Sequence, residues 1–100
     1  MQPVSSAHLR RSQRVSATIP ISLWVESEES KTEHDAYTVD LSRHGVRIRT
    51  ALALYPGEML GVVPTGDSGR AIPARVVWVH RAESGQGALA GLEFLETLLN

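Results

Sequence analysis

The sequence contains no cysteine, only five aromatic residues (two Trp, two Tyr and one Phe), and no long apolar run. Without cysteine the chain can form no disulfide, no thiolate metal site and no cysteine nucleophile. None of its apolar segments approaches the roughly 20 residues that a membrane-spanning helix needs. Its four histidines show no metal-ligand spacing. We therefore expect neither a membrane span nor a metal or other cofactor.

Size and composition predict one small globular domain. One hundred residues are enough for a single domain with a modest core. Apolar residues make up 42% of the chain and charged residues 21%, which is ordinary for a soluble protein. The first six residues lack the charged start and apolar stretch of a secretion signal. A cytoplasmic location is the resulting expectation.

Enzymatic signatures are weak. There is no Gly-x-Ser-x-Gly motif and no carboxylate pair whose spacing indicates acid–base chemistry. The segment 85–90 formally fits the Gly-x-Gly-x-x-Ala pattern of dinucleotide-binding folds. That motif requires a following helix and an acid about 20 residues later, and only ten residues follow position 90. The sequence therefore predicts a binding module and no enzyme.

Charge is unevenly distributed along the chain. The net charge of −1 argues against bulk binding of nucleic acid. Residues 1–25 contain no acid, whereas residues 26–35 contain five acidic residues and one lysine. Six of the ten Lys and Arg residues occur in two clusters: Arg10, Arg11 and Arg14, then Arg43, Arg47 and Arg49. A local cationic site on a nearly neutral protein suits a small dianion better than a long polyanion.

Alternating patterns predict a small antiparallel β-barrel preceded by an arm. Turn signals separate six predicted strands, at residues 15–25, 36–41, 46–49, 59–63, 72–81 and 88–95. No segment predicts an amphipathic helix, and residues 96–100 are too few for a stable one. Barrel closure would remove exposed sheet edges. We expect a flexible basic arm over residues 1–14 and the barrel over residues 15–100.

The first predicted strand has a clear alternation. Its apolar face is Val15, Ala17, Ile19, Ile21, Leu23 and Val25. Pro20 falls on the other face and indicates an edge position or a bulge. The polar residues 26–33 then predict a long hairpin loop.

Two short motifs carry the chemistry most suited to a nucleotide. Arg10 and Arg14 lie four positions apart, and Asp40, Ser42 and Gly45 follow from position 40 onwards. A guanidinium group can donate two hydrogen bonds to a phosphate or to O6 and N7 of guanine. A carboxylate can accept from N1–H and N2–H₂ of guanine. The glycine permits a turn with positive φ and a close approach of the backbone to a ligand.

This pair of motifs resembles the signature of the PilZ domain, the bacterial receptor module for cyclic di-GMP. The family pattern is R-x-x-x-R, about 20–30 residues, then D/N-x-S-x-x-G. The segments 75–78 and 91–94 also resemble the family's downstream pattern. The resemblance runs from about residue 10 to residue 96 and implies a six-stranded antiparallel barrel. A C-terminal helix, usual in the family, is nearly absent from this chain.

The resemblance implies a role for each motif residue. The ligand would be cyclic di-GMP, gripped by the cationic segment and by the acidic turn. The implied ligand residues are Arg10, Arg11, Arg14, Asp40, Ser42 and Gly45, with Arg43, Arg47 and Trp78 as secondary candidates. Ordering of the arm on binding would signal to an unidentified downstream protein. Leu9 precedes the first motif arginine, where an arginine favours an intercalated ligand pair, so we expect one ligand per protomer.

Two other functions stay open at this point. One is a PilZ-like interaction module that does not bind the ligand. The other is a small barrel that binds single-stranded nucleic acid through its basic arm. The second would need aromatic platforms on a basic face, and five aromatic residues offer few.

Overall fold

The computed structural model describes residues 14–64, 70–83 and 87–96, and every regular element in these ranges is a β-strand. The seven strands are β1 (Val15–Ser16), β2 (Pro20–Glu26), β3 (Lys31–Leu41), β4 (Gly45–Thr50), β5 (Met59–Pro64), β6 (Ile72–Arg81) and β7 (Ala88–Phe94). Arg10 and Arg11 lie outside the described residues, as does the segment 97–100. No helix long and apolar enough to cross a membrane occurs in the described ranges.

Six of the strands close into a barrel. The hydrogen-bonded order is β1-β3-β2-β5-β6-β7-β4, and pairing of β3 with β4 closes the ring. Every pairing is antiparallel, and the short β1 pairs with the C-terminal end of β3, beyond the part of β3 that pairs with β2. The prediction of a six-stranded antiparallel barrel is confirmed, with one additional short strand.

The barrel interior is filled by the inward-facing residue of each alternating pair. The largest core side chains with at most 1% exposure are Leu23, Val46, Ile48, Leu54 and Val76. Burying each of these side chains stabilises the fold by about 1.5–3 kcal/mol. Leu54 lies in the connection between β4 and β5, so a loop residue completes the interior.

The segment predicted as one long first strand is interrupted. Residues 17–19 separate β1 from β2, and Pro20, which has no N–H, begins β2. Thr38 fixes the backbone of this interruption, since its hydroxyl accepts a hydrogen bond from the N–H of Ile19 at 2.9 Å and donates one to the carbonyl of Ala17. The alternation places Ile21 and Leu23 in the core correctly. Ile19 is 40% exposed, so its predicted inward position is wrong.

The loop predicted over residues 26–33 is much shorter in the structure. The N–H of Ser27 donates to the carbonyl of Ser30 at 2.8 Å, and β3 already begins at Lys31. The β2–β3 hairpin therefore extends through the polar segment. Its charged side chains are compatible with a strand because they point to solvent.

Two irregularities in the ladder determine what the outer face of the barrel carries. The β3–β4 register shifts between Thr38 and Asp40, and the β6–β7 register shifts between Val76 and Trp78. A bulge inserts one residue and redirects the side chains that follow it. Asp40 and Trp78 consequently share the outer face with their partners Arg47 and Gly91.

Candidate functional site

The two sequence motifs meet at Asp40. Arg14, immediately before β1, donates from Nε to Oδ1 of Asp40 at 2.7 Å, although the two residues are 26 positions apart. Pairing of β1 with β3 brings them together, since Ser16 stands opposite Asp40. Arg47, opposite Asp40 on β4, donates from Nε to Oδ2 at 2.7 Å and also from Nη2. One carboxylate therefore lies between two guanidinium groups.

The electrostatics of this cluster favour an anion in front of it. The Asp40 side chain is only 6% exposed, whereas those of Arg14 and Arg47 are 39% and 42% exposed. The hydrogen bonds from Arg47 and then Arg14 hold the pKa of Asp40 below its usual value, against the effect of burial. The same contact raises the pKa of Arg47. Two cations and one anion leave one net positive charge facing solvent.

Ser42 and Gly45 form the turn that follows Asp40. The N–H of Ser42 donates to the carbonyl of Gly45 at 2.9 Å. The Ser42 hydroxyl accepts from the N–H groups of His44 and Gly45 at 3.2 and 3.3 Å, and Ser42 is 8% exposed. The structure thus uses this hydroxyl to hold the turn between β3 and β4.

Gly45 is required by close packing against β7. A Cβ at this position would lie 2.3 Å from the carbonyl oxygen of Leu92. Among the described residues positive φ occurs only at Gly57 and Gly87, so the expected positive φ at Gly45 is wrong. The close backbone approach at Gly45 is made to the neighbouring strand β7, and the expected approach to a ligand stays a prediction.

Trp78 lies across the backbone of β7 at Gly91. A Cβ added to Gly91 would be 2.2 Å from Nε1 of the indole, so only glycine admits this ring position. Trp78 is 37% exposed, and Gly91 stands between it and Arg47 in the ladder. Sequence reasoning assigned no role to Gly91. The available signal was a glycine inside a strand, which often marks a close approach.

A groove on the outer face joins these features. Its cavity is about 470 Å³ and is lined by Arg14, Ser42, His44, Gly45, Val46, Arg47, Val77, Trp78, Gly91, Leu92 and Glu93. That volume lies within the range of small-molecule sites. Glu93 is paired with Arg75 across the β6–β7 ladder. Volume alone does not single out this groove, because a second one measures about 500 Å³. The residues of both sequence motifs that line it do.

The structure brings together most of the residues singled out in the sequence. Arg14, Ser42, Gly45, Arg47 and Trp78 line the groove, and Asp40 is bound to two of them. Arg43 is exposed and does not line it. No group of three or more His, Asp or Glu side chains suited to a metal ion occurs in the described ranges.

Comparison with solved structures supports the fold. The chain aligns with the structure of Bacillus subtilis Inhibitor of motility (MotI/DgrA) with a TM-score of 0.65 and 19% sequence identity. The alignment covers 89% of this chain and 44% of that one, so this chain spans less than half the length of that protein. A search of curated proteins found no match.

Comparison with protein families is more specific. The model of the PilZ domain matches residues 8–99, a range that contains both sequence motifs and all seven strands. PilZ domains are receptor or adaptor modules and not enzymes. Since the match covers nearly the whole chain, this protein belongs to the PilZ domain family.

Proposed function

We propose that the protein is a cyclic di-GMP receptor whose ligand lies in the groove beside Asp40. The observation that carries this proposal is the ion pair between Arg14 and Asp40, which joins the two motifs at one point on the barrel. The ligand supplies two phosphates and two guanine bases. The groove offers exposed guanidinium groups for the phosphates and the ring of Trp78 for a base, and the carboxylate of Asp40 lies beside it, bound to Arg14 and Arg47.

The hydrogen-bond inventory of the cluster suits a guanine edge. Oδ2 of Asp40 receives both hydrogen bonds of Arg47, whereas Oδ1 receives one, from Arg14. A carboxylate oxygen has two acceptor sites, so Oδ1 retains one for N1–H or N2–H₂ of guanine. Within the described residues Arg14 uses only its Nε, which leaves its Nη donors for a phosphate or for guanine O6 and N7.

The remaining groove residues have proposed roles that follow from their contacts. Trp78 offers a half-exposed ring on which a base can stack. Arg47 keeps Asp40 ionised and fixed in orientation. Ser42 positions the turn that follows Asp40, and Gly45 lets that turn pack against β7. Arg10 and Arg11, outside the described residues, are proposed as further ligand contacts.

Calorimetric titration with cyclic di-GMP tests the site. Arg14→Ala and Asp40→Ala should each weaken binding by roughly 1–3 kcal/mol, as loss of a bidentate base contact does, or about 5- to 150-fold. Arg70→Ala and Asp35→Ala are matched controls, because both residues are exposed and make no side-chain hydrogen bond or ion pair with another described residue. If both site variants bind like the parent, the site is wrong.

The same titration separates the alternatives. A parent protein that does not bind cyclic di-GMP would favour an interaction module without ligand. In a titration with a single-stranded oligonucleotide, strongly salt-dependent affinity would favour the hypothesis of a barrel that binds single-stranded nucleic acid. We propose one ligand per protomer, because Leu9 replaces the arginine that favours a ligand pair.

The proposed output is a change in residues 1–14 on binding. Contacts from Arg10 and Arg14 would fix this segment against the barrel and present a new surface to a downstream protein in the cytoplasm. Trypsin cleaves after arginine, so ligand should slow cleavage at Arg10 and Arg11 while cleavage at Arg70 is unchanged. Equal rates with and without ligand would contradict this output.

A further inference from the structure

A second groove lies beside the first on the outer face of the barrel. Arg49 follows Arg47 by two positions on β4, so both side chains point outward, about 7 Å apart along the strand. Across the ladder, Arg49 stands opposite Tyr37 on β3 and Leu89 on β7, and Leu89 stands opposite His80 on β6. This row, Tyr37–Arg49–Leu89–His80, runs parallel to the row Asp40–Arg47–Gly91–Trp78.

Tyr37 and Arg49 together border two cavities. One is about 500 Å³ and is lined by Tyr37, Arg49, Thr50, Ala51, His80, Ala82, Gly87, Ala88 and Leu89. The other, about 470 Å³, is lined by Thr18, Tyr37, Thr38, Val39 and Arg49. Tyr37 is 54% exposed and lines both cavities.

The charge of this second groove is uncompensated. Arg14, Arg47 and Arg75 each pair with a carboxylate. Arg49 makes no ion pair and no side-chain hydrogen bond with any residue in the described ranges. No Asp or Glu lines either cavity. A single exposed guanidinium thus lies between an aromatic ring and the apolar side chain of Leu89.

We propose that this second groove binds an acidic segment of a partner protein, with one Asp or Glu carboxylate on Arg49 and an adjacent apolar side chain against Leu89. Guanidinium and carboxylate match in a bidentate pair, and the Tyr37 hydroxyl supplies a further donor. A carboxylate suits this groove better than a second cyclic dinucleotide, because no Asp or Glu lines it to accept from a guanine edge. This proposal specifies the class of partner that the proposed function leaves open. Binding of the acidic segment does not require cyclic di-GMP.

A defined peptide tests this assignment. The probe is an N-acetylated, C-amidated pentapeptide of sequence Ser-Leu-Glu-Leu-Ser, titrated to millimolar concentration into ¹⁵N-labelled protein. We expect chemical-shift changes at the Nε–H of Arg49 and the amides of Leu89 and His80. The same peptide with Gln in place of Glu should bind about tenfold more weakly or worse, because it loses a charge-assisted hydrogen bond.

Variants distinguish the second groove from the first. Arg49→Gln should weaken binding of the Glu peptide about tenfold or more and leave calorimetric affinity for cyclic di-GMP within twofold. Arg70→Gln, at an exposed position outside both grooves, should change neither. Three results would overturn the proposal. The first is no chemical-shift change with the Glu peptide, and the second is equal binding of the Glu and Gln peptides. The third is that cyclic di-GMP shifts the resonances of the Arg49 row and that Arg49→Gln weakens cyclic di-GMP binding. The last would make Arg49 part of the nucleotide site and leave the proposed function standing.

Discussion

The indole of Trp78 lies where a side chain at Gly91 would have to be. Nε1 and Cε2 of the ring would be 2.2 and 2.4 Å from a Cβ at that position. The ring is 37% exposed, so it has solvent into which it can move. Gly91 thereby determines the position of the groove's only aromatic side chain among the residues the structure describes.

Gly91→Ala is expected to displace the ring and to leave the barrel folded. Loss of the stacking platform should weaken cyclic di-GMP binding by about 1–3 kcal/mol, the usual contribution of base–aromatic stacking. The indole N–H resonance of Trp78 should shift, whereas that of Trp24 should not. In a Trp78→Ala background the glycine substitution should cost almost nothing further in affinity. Additive losses would mean that Gly91 acts independently of the ring.

Gly45→Ala is expected to destabilise the fold itself. The new Cβ would lie 2.3 Å from a backbone oxygen of β7, which cannot rotate away as a side chain can. Overpacking of this kind costs about 1–3 kcal/mol, and each kcal/mol lowers the Tm of a domain this size by about 4–8 °C. Thermal unfolding followed by circular dichroism measures the change.

Gly57 provides a matched control position when asparagine replaces glycine at both sites. Its φ is +94°, and nothing lies within 4 Å of a Cβ there. Asn tolerates positive φ better than most residues, so Gly57→Asn should lower the Tm less than Gly45→Asn. The reverse order would contradict the close-packing role of Gly45.

Gly45 and Gly91 show what could and could not be predicted from the sequence. Alternation predicts Ile21 and Leu23 on one apolar face, and both are buried, because side-chain period is a local property of a strand. Gly45 is needed because of the carbonyl oxygen of Leu92, and Gly91 is needed because of the ring of Trp78. In each case the contacting residue lies far from the glycine along the chain. Local patterns contain no information on such contacts.

The candidate site likewise contains contacts that the sequence predicts and contacts that it does not. Motif spacing predicts that Arg14 and Asp40 belong to one site, and the two side chains are in contact. The two hydrogen bonds from Arg47 depend on the register shift between Thr38 and Asp40, which puts both side chains on one face. No residue pattern around position 39 indicates that bulge, so Arg47 had only a secondary place among the sequence candidates.

The stability of the protein should depend on pH through Asp40. Hydrogen bonds from Arg47 and Arg14 lower the pKa of this carboxyl in the folded protein below the unfolded value of about 3.9. The stabilisation is therefore complete above about pH 5 and is lost as pH falls from about 4 through the folded pKa. Urea unfolding from pH 7 to pH 2.5 should show the free-energy gap between parent and Asp40→Asn narrowing only in that acidic window.

An exposed carboxylate provides the control for this pH effect. Asp35 is exposed, so Asp35→Asn should differ little from the parent at any pH in the range. Parallel curves for parent and Asp40→Asn down to pH 2.5 would mean that the paired carboxylate contributes nothing that protonation can remove.

Arg14 and Arg47 should separate binding from stability. Arg47 donates two hydrogen bonds to Asp40 and lies inside the β3–β4 ladder, whereas Arg14 donates one from outside β1. Arg47→Ala leaves a carboxylate that is 6% exposed with one partner, which should cost about 1–3 kcal/mol of unfolding free energy. Arg14→Ala should cost less than half of that while weakening cyclic di-GMP binding at least as much as Arg47→Ala does. Arg14 lines the groove, and its Nη donors make no hydrogen bond with a described residue. Urea unfolding and calorimetry on both variants measure the two quantities. If Arg14→Ala proves the more destabilising of the two, the assignment of Arg47 as the residue that holds Asp40 in place is wrong.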